Sequence, residues 1–146
     1  MDIYKKESKH GSKGLWFSPS LGRIFDEKLV PDCKYFPSIL EFKVYKQLVK
    51  IFGDSAIKCH KRVTLVPEVK GRNKAVTWDI DFHIADYRIY VEAKGSETPE
   101  YKIKRELFRH FYTEDVLFIC KNELDVNEIN AYVKVVYGKN YSTSGA

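Results

Sequence analysis

The stretch IYVEAKG, from Ile89 to Gly95, decides the fold because it alternates apolar and polar residues before it ends at a glycine. Residues two apart lie on the same face of a β-strand, so Glu92 and Lys94 share one face. The apolar residues before and between them occupy the other face. The stretch therefore predicts a strand that presents a carboxylate and an ammonium group side by side.

A second alternating segment, Thr77–Ile84, precedes this strand and has its apolar residues at even positions. If the two segments form a hairpin, odd residues of one must face even residues of the other, so that both apolar sets lie on one face. A two-residue loop at Asp86-Tyr87 gives this register. It places Asp81 opposite Glu92, so the hairpin is predicted to bring two carboxylates together.

Two facing carboxylates repel each other unless a shared proton, a neighbouring lysine or a divalent cation offsets their charge. A hard cation such as Mg²⁺ favours oxygen ligands of this kind, and Lys94 would lie beside it. The other interpretation is the ordinary polar face of a half-buried hairpin, in which Asp79 and Lys94 form a cross-strand ion pair. The pattern alone is compatible with both.

Apolar spacing and turn residues predict the remaining elements. They are a helix over Ser38–Phe52 that ends at Gly53, strands Ile57–Val66, Ala75–Ile84 and Arg88–Lys94, a helix from its cap Thr98 through Pro99 to Phe111, the strand Val116–Cys120, a short helix from Asp125 and an edge strand Lys134–Tyr137. The order helix, three strands, helix, strand predicts an α/β fold, in which helices flank a mixed central sheet.

The chain divides by composition into three segments. Residues 1–37 are rich in Ser, Gly, Pro and Lys, and we expect an N-terminal arm or cap with a short hairpin around Ser18–Gly22. Residues 38–138 form the predicted core, and residues 139–146 a flexible tail.

The whole-chain composition is that of one globular domain, with 146 residues of which 44% are hydrophobic and 31% charged. No apolar run reaches the roughly 18 residues of a membrane span, so we expect a cytoplasmic protein with no membrane partner. The three cysteines form no CxxC pair and are expected to be thiols in a reducing compartment. The net charge of +5 is consistent with a polyanionic partner.

Asp81, ten residues and then Glu92-Ala93-Lys94 resemble the D...ExK signature of the PD-(D/E)XK nuclease superfamily. The helix from Ser38 to Leu48 resembles that of the phage endonuclease I family of Holliday-junction resolvases. The stretch from Lys94 to Phe108 looks like the K-G-x-x-T-x-x-Y-x-x-K sequence of a phage nuclease-like family. The resemblance extends from Ser38 to about Cys120.

The resemblance implies a restriction-endonuclease-like αβββαβ core and a metal-dependent DNA endonuclease from a bacterium or a phage-infected host cell. It implies that Asp81, Glu92 and Glu41 hold Mg²⁺, with Mn²⁺ as a substitute, and that Lys94 completes the catalytic set. Two assignments stay open: Asp79 in place of Asp81, and Glu41 as the capping-box partner of Ser38. Ile80 stands where the superfamily has proline.

Substrate choice is also open, because the strongly basic C-terminus of the resolvase family is missing here. The alternatives are a site-specific homing or restriction-like endonuclease, and a non-catalytic DNA-binding module on the same fold. Cutting both strands of DNA would need two sites, so a homodimer or a larger symmetric oligomer is expected. The candidate DNA contacts are the basic residues Lys61, Arg62, Arg72, Lys74, Lys102, Lys104, Arg105 and Arg109.

Overall fold

The computed structural model describes residues 14–138, and the predicted flexible tail lies outside them. The chain forms strands β1 (Leu15–Ser18), β2 (Arg23–Phe25) and β3 (Lys34–Phe36), helix α1 (Ile39–Phe52), strands β4 (Lys58–Val66), β5 (Val76–Ile84) and β6 (Ile89–Ala93), helix α2 (Pro99–Phe111), strand β7 (Val116–Cys120) and helix α3 (Val126–Tyr137). Short 3₁₀ turns cover Asp54–Ala56, Ala85–Tyr87 and Glu123–Asp125.

The main sheet has four strands in the order β4-β5-β6-β7. Strand β5 is antiparallel to both β4 and β6, and β7 lies parallel to β6 after the crossover through α2. The predicted α/β class, with a mixed sheet flanked by helices, is confirmed. The elements from α1 to β7 also follow one another in the predicted order.

The two long helices begin at the predicted caps. The Ser38 hydroxyl accepts a hydrogen bond from the Glu41 backbone N–H at 3.1 Å, and the Thr98 hydroxyl accepts one from the Tyr101 N–H at 3.1 Å. Helix α1 ends at Gly53, whose φ of 84° few other residues adopt without strain. Local sequence signals thus fix where each helix starts and where α1 stops.

Two apolar clusters lie on opposite sides of the main sheet. The first contains Ile89 and Val91 together with residues of α1 and α3, and the second contains Tyr90 together with residues of α2. Neighbouring residues of β6 therefore enter different clusters, as the alternation of a strand requires. Helices cover both faces, and this explains why all five residues of β6 are buried.

Strand β5 departs from the single apolar face predicted for it. Its even residues divide between the clusters, since Ile80 belongs to the second and Phe82 to the first. The change falls at Asp81, where the β4–β5 ladder omits one pair and His60 on β4 has a φ of 58°. The expectation that the apolar residues of the hairpin share one face is therefore wrong, because a backbone irregularity turns the strands at this point.

The segment predicted as an arm contributes to the same core. Strands β1, β2 and β3 form a three-stranded sheet in the order β2-β1-β3. Leu15, Phe17, Ile24 and Phe36 are buried within the first cluster against α1. The hairpin expected around Ser18–Gly22 is present as β1 and β2. Residues 1–13 lie outside the described part of the chain.

Two local predictions are wrong. The β5–β6 connection has four residues, 85–88, rather than two, because the ladder ends at the Ile84–Ile89 pair and Arg88 takes a left-handed conformation. The edge strand predicted over Lys134–Tyr137 belongs to α3. On α2, Tyr101 and Phe108 are buried, whereas Ile103 and Phe111 are exposed.

Candidate active site

Asp81 and Glu92 lie opposite each other where the β5–β6 ladder ends. Phe82 and Val91 form the last paired positions, and the next pair in this register is Asp81 with Glu92. At this position the side-chain carboxyl groups accept hydrogen bonds from backbone N–H groups. Glu92 Oε1 accepts from the Asp81 N–H at 3.1 Å, and Asp81 Oδ2 accepts from the Ala93 N–H at 2.8 Å. The register predicted from alternation thus brings the two carboxylates together.

The two carboxyl groups are buried, with Asp81 8% exposed and Glu92 5% exposed. A carboxylate is almost never buried in this way without a partner that offsets its charge. The interpretation of this face as the ordinary solvent-exposed polar face of a hairpin is therefore wrong. The predicted ion pair between Asp79 and Lys94 is also replaced, because Asp79 binds Arg62 on β4 at 2.7 Å.

Glu41 reaches this pair from the first turn of α1. One carboxylate oxygen of Glu41, one of Asp81 and a ring nitrogen of His60 lie within 4.8 Å of one another. The Oε2 atom of Glu41 is buried and has no hydrogen-bond partner among the described residues. The Glu41 backbone N–H is held by Ser38, while its carboxyl group lies with Asp81, and Asp79 is not part of the group.

Burial raises the pKa of all three carboxyl groups, and Asp81 raises that of the two glutamates further. Burial raises the pKa of Glu41 to about 8, and the neighbouring Asp81 adds to the rise. Burial and Asp81 likewise raise the pKa of Glu92 to about 9, and burial raises the pKa of Asp81. Without a cation, Glu41 and Glu92 therefore hold protons at pH 7, and a bound cation would release them.

Lys94 follows β6 and brings a positive charge to the same place. Its backbone N–H donates to the Cys120 carbonyl at 2.9 Å, which fixes the position of the residue beside β7. Its ammonium group lowers the pKa of each of the carboxyl groups of Glu41, Asp81 and Glu92 against the effect of burial. Lys94 is thus placed to hydrogen-bond a water or a phosphate oxygen at the carboxylates.

Tyr101 is a residue at this site that the sequence analysis did not single out. The Lys94 ammonium lies 5.0 Å from the centroid of its ring, and the Arg105 guanidinium lies 5.5 Å from the same centroid. Tyr101 is 4% exposed, and its hydroxyl has no hydrogen-bond partner within the described chain. Its ring faces the Lys94 ammonium from one side in a cation–π contact. The only sequence feature that could have pointed to Tyr101 was its position in the K-G-x-x-T-x-x-Y stretch.

His60 was also missed, for a structural reason. On a regular β4, His60 would be one polar residue among several, and nothing in its local sequence distinguishes it from Lys58 or Arg62. Its ring reaches Glu41 and Asp81 because of its positive φ, and periodicity does not report that irregularity. The neighbouring Cys59 does not mark His60 as a site residue either, because all three cysteines are free thiols.

The candidate DNA contacts divide into two groups. Four form ion pairs within the chain, on β4 and α2, and have carboxylate partners at 2.7 to 3.9 Å. The other four form no ion pair within residues 14–138, so their charges are not paired with a carboxylate there. The paired residues are Arg62, Lys104, Arg105 and Arg109, and the other four are Lys61, Arg72, Lys74 and Lys102.

Arg72 and Lys74 lie in the turn between β4 and β5, at the opposite end of these strands from the β5–β6 loop. They line an open surface cavity of about 400 Å³ with Lys70 and Asn73. The Asn73 side-chain amide donates to the carbonyls of Pro67 and Lys74 and so holds the turn closed. The tip of the hairpin is therefore a structured basic projection, although Glu68 also lines the cavity.

Searches for similar proteins found no protein-family model, curated protein or solved structure that matches this chain. Within residues 14–138, none of the helices combines the length and the apolar character needed to cross a lipid bilayer.

Proposed function

We propose that this protein is a metal-dependent DNA endonuclease that hydrolyses phosphodiester bonds in duplex or branched DNA. The observation that supports the proposal best is the buried pair of Asp81 and Glu92, with Glu41 and Lys94 beside it. Buried carboxyl groups with raised pKa values next to a lysine are typical of catalytic sites. The resemblance of Asp81 and Glu92-Ala93-Lys94 to the PD-(D/E)XK signature favours this chemistry.

The residues fit a divalent cation such as Mg²⁺, or Mn²⁺ in its place. Asp81 and Glu41 offer oxygen atoms, the Oε2 atom of Glu41 is a buried acceptor without a partner, and Glu92 supports the site through Asp81. When bound, such an ion stabilises the charge of a phosphoryl group and lowers the pKa of a bound water. The charge of the ion would also favour the ionised form of the carboxyl groups around it.

The chain's own residues have three tasks in this reaction. Lys94 orients the attacking water and neutralises charge that develops on the phosphate oxygens. Tyr101 limits the movement of Lys94 by covering one side of it. Lys61, Arg72, Lys74 and Lys102 are proposed to bind DNA phosphates, because they have no carboxylate partner within the described residues. A homodimer or a larger symmetric oligomer would cut both strands.

A cleavage assay with matched variants tests the proposal. Wild type, Glu92→Gln and Lys94→Ala are incubated with supercoiled plasmid and with a four-way junction, in Mg²⁺ or EDTA. The control is Lys50→Ala, because Lys50 is an exposed lysine in the last turn of α1. We expect wild type and the control to cleave in Mg²⁺ only, and each of the two site variants to lose at least about a hundredfold in rate.

The outcomes separate the alternatives. Cleavage that survives EDTA or survives both substitutions contradicts the metal-dependent mechanism. Preference for the junction over linear duplex favours a resolvase, and one discrete cut favours a homing or restriction-like enzyme. Salt-sensitive DNA binding without any cleavage favours the non-catalytic module.

A further inference from the structure

We propose that His60 is a direct metal ligand, together with Glu41 and Asp81, and that it makes the site prefer a first-row transition ion to Mg²⁺. The inference rests on the proposed metal-dependent function and refines it, since the sequence resemblance implies carboxylate ligands alone. It concerns which ion the site takes and which residue decides that choice.

The geometry places an imidazole among oxygen donors. A ring nitrogen of His60 lies within 4.8 Å of a carboxylate oxygen of Glu41 and of one of Asp81, a separation that a single ion can bridge. The ion would lie between the carboxyl groups of Glu41 and Asp81. It would also give the buried Oε2 atom of Glu41 the partner that the described residues do not supply.

The surroundings of His60 leave one ring nitrogen for a metal. Nε2 lies 3.4 Å from the Tyr35 carbonyl oxygen of β3, which can accept only from a protonated nitrogen. With the proton on Nε2, Nδ1 keeps its electron pair. Metal-binding histidines commonly donate their second N–H to a backbone carbonyl in this way, which fixes both the tautomer and the orientation of the ring.

The backbone conformation at His60 and the cavity beside it leave the His60 ring accessible to solvent. The left-handed conformation at His60 interrupts the β4–β5 ladder opposite Asp81. An open cavity of about 380 Å³, lined by Lys34, Tyr35 and Lys58 among others, reaches His60 from outside. His60 is itself exposed, so an ion from solvent can reach its ring, although Asp81 is buried.

The donor set determines the preference. Mg²⁺ binds oxygen almost exclusively and keeps several waters, so a nitrogen ligand adds little to its affinity. Later first-row ions such as Co²⁺ gain much more from an imidazole. Two carboxylates and one imidazole therefore favour a transition ion, while a site of carboxylates alone would not.

The test uses the full chain and the metal ions alone, without DNA. Affinities for Co²⁺ and Mg²⁺ are measured by calorimetry for wild type, His60→Asn, His60→Gly and Asp81→Asn, and the visible absorption of the Co²⁺ complex is recorded. Asn and Gly both adopt the left-handed conformation of residue 60, so the backbone is kept. The control is His110→Asn, because His110 is an exposed histidine near the end of α2.

We expect His60→Asn and His60→Gly to lower the Co²⁺ affinity by about 10- to 100-fold and to shift the Co²⁺ absorption band. The Mg²⁺ affinity should change by less than about threefold, because its ligands are mainly oxygen atoms. Asp81→Asn should weaken the binding of both ions, and His110→Asn of neither.

Other results overturn the inference in distinguishable ways. Unchanged Co²⁺ affinity and absorption in both His60 variants remove His60 from the ligand set but leave a metal site in place. An equal loss for both ions shows that His60 supports the fold and does not select the ion. If wild type binds neither ion, the proposed function fails as well, whereas the expected metal binding without any DNA cleavage upholds the inference and rejects the nuclease.

Discussion

The burial of Glu92 predicts how the free energy of unfolding depends on pH. Burial, and then the Asp81 carboxylate, raise the pKa of Glu92 to about 9, from an ordinary value of 4.5. Between these values the folded protein keeps a proton that the unfolded chain has lost, so the contribution of Glu92 to stability is largest at low pH and falls as the pH rises towards 9. One pKa unit corresponds to about 1.4 kcal/mol, so Glu92 alone lowers the free energy of unfolding by about 2.7 kcal/mol between pH 6 and pH 8.

The substitution Glu92→Gln removes this dependence. The glutamine oxygen can still accept from the Asp81 N–H, which Glu92 Oε1 now does at 3.1 Å, and the amide does not titrate. We therefore expect the stability of the variant relative to wild type to increase by about 2.7 kcal/mol from pH 6 to pH 8. Contributions from groups that do not interact with residue 92 cancel in this difference, whereas the Asp81 carboxyl group, which is coupled to Glu92, responds to the substitution as well.

The measurement is urea denaturation of both proteins at pH 6, 7 and 8 in EDTA, analysed as a two-state transition. Glu68→Gln is the matched control, because it removes the same charge from the exposed β4–β5 turn. Its difference from wild type should stay within about 0.5 kcal/mol over this range. A stability difference for Glu92→Gln that is constant with pH, or that shrinks as the pH rises, would refute the argument that burial holds a proton on this carboxyl group.

The same assay tests the cation. An ion that binds with a Kd of about 1 mM and is present at about 10 mM stabilises the folded protein by about 1.4 kcal/mol. At pH 8 we expect Mg²⁺ to stabilise wild type by this order and Asp81→Asn not at all. Equal stabilisation of both proteins would indicate a general salt effect and no site at Asp81.

Three further predictions concern the scaffold. Ser38→Ala removes the cap of α1 and should cost about 1 kcal/mol by urea denaturation, with no effect if the cap is unimportant. Phe36→Ala should lower the free energy of unfolding by about 3–5 kcal/mol, because Phe36 is buried. Phe111→Ala, at an exposed position, should lower it by less than about 1 kcal/mol. Similar losses for the two variants would mean that β3 is not part of the core. Burial raises the pKa of Asp54, but hydrogen bonds, above all from Lys34, outweigh it and leave the pKa below 3.8. Asp54→Asn should therefore destabilise the protein at pH 6 and have less effect below pH 3, and an effect independent of pH would contradict this.

Much of the fold can be predicted from the sequence because its signals are local. The caps at Ser38 and Thr98 and the glycine at position 53 fix helix boundaries through neighbouring backbone groups. The prediction failed where packing outweighs local preference. The β-branched segment from Lys134 to Tyr137 favours a strand by composition, yet it continues α3, whose residues Ile129 and Val133 are buried at helical spacing.

The candidate site divides in the same way. Alternation with a period of two residues makes Asp81 and Glu92 face each other, and even an incorrect loop length leaves this pairing intact, because the register is the same. Their burial depends on helices that cover both faces of the sheet. The approach of Glu41 from α1 was expected only by resemblance to a family, and spacing alone left it open as a capping residue.

The sequence by itself determined the helix caps, the order of the elements and the pairing of Asp81 with Glu92, because these depend on residues close together in the chain or on a strict alternation. Only the tertiary structure decided that this pair is buried, that Tyr101 covers Lys94, and that His60 turns towards Glu41 and Asp81. These features depend on the packing of distant segments and on one irregular backbone conformation at His60, which hydrophobic periodicity does not encode.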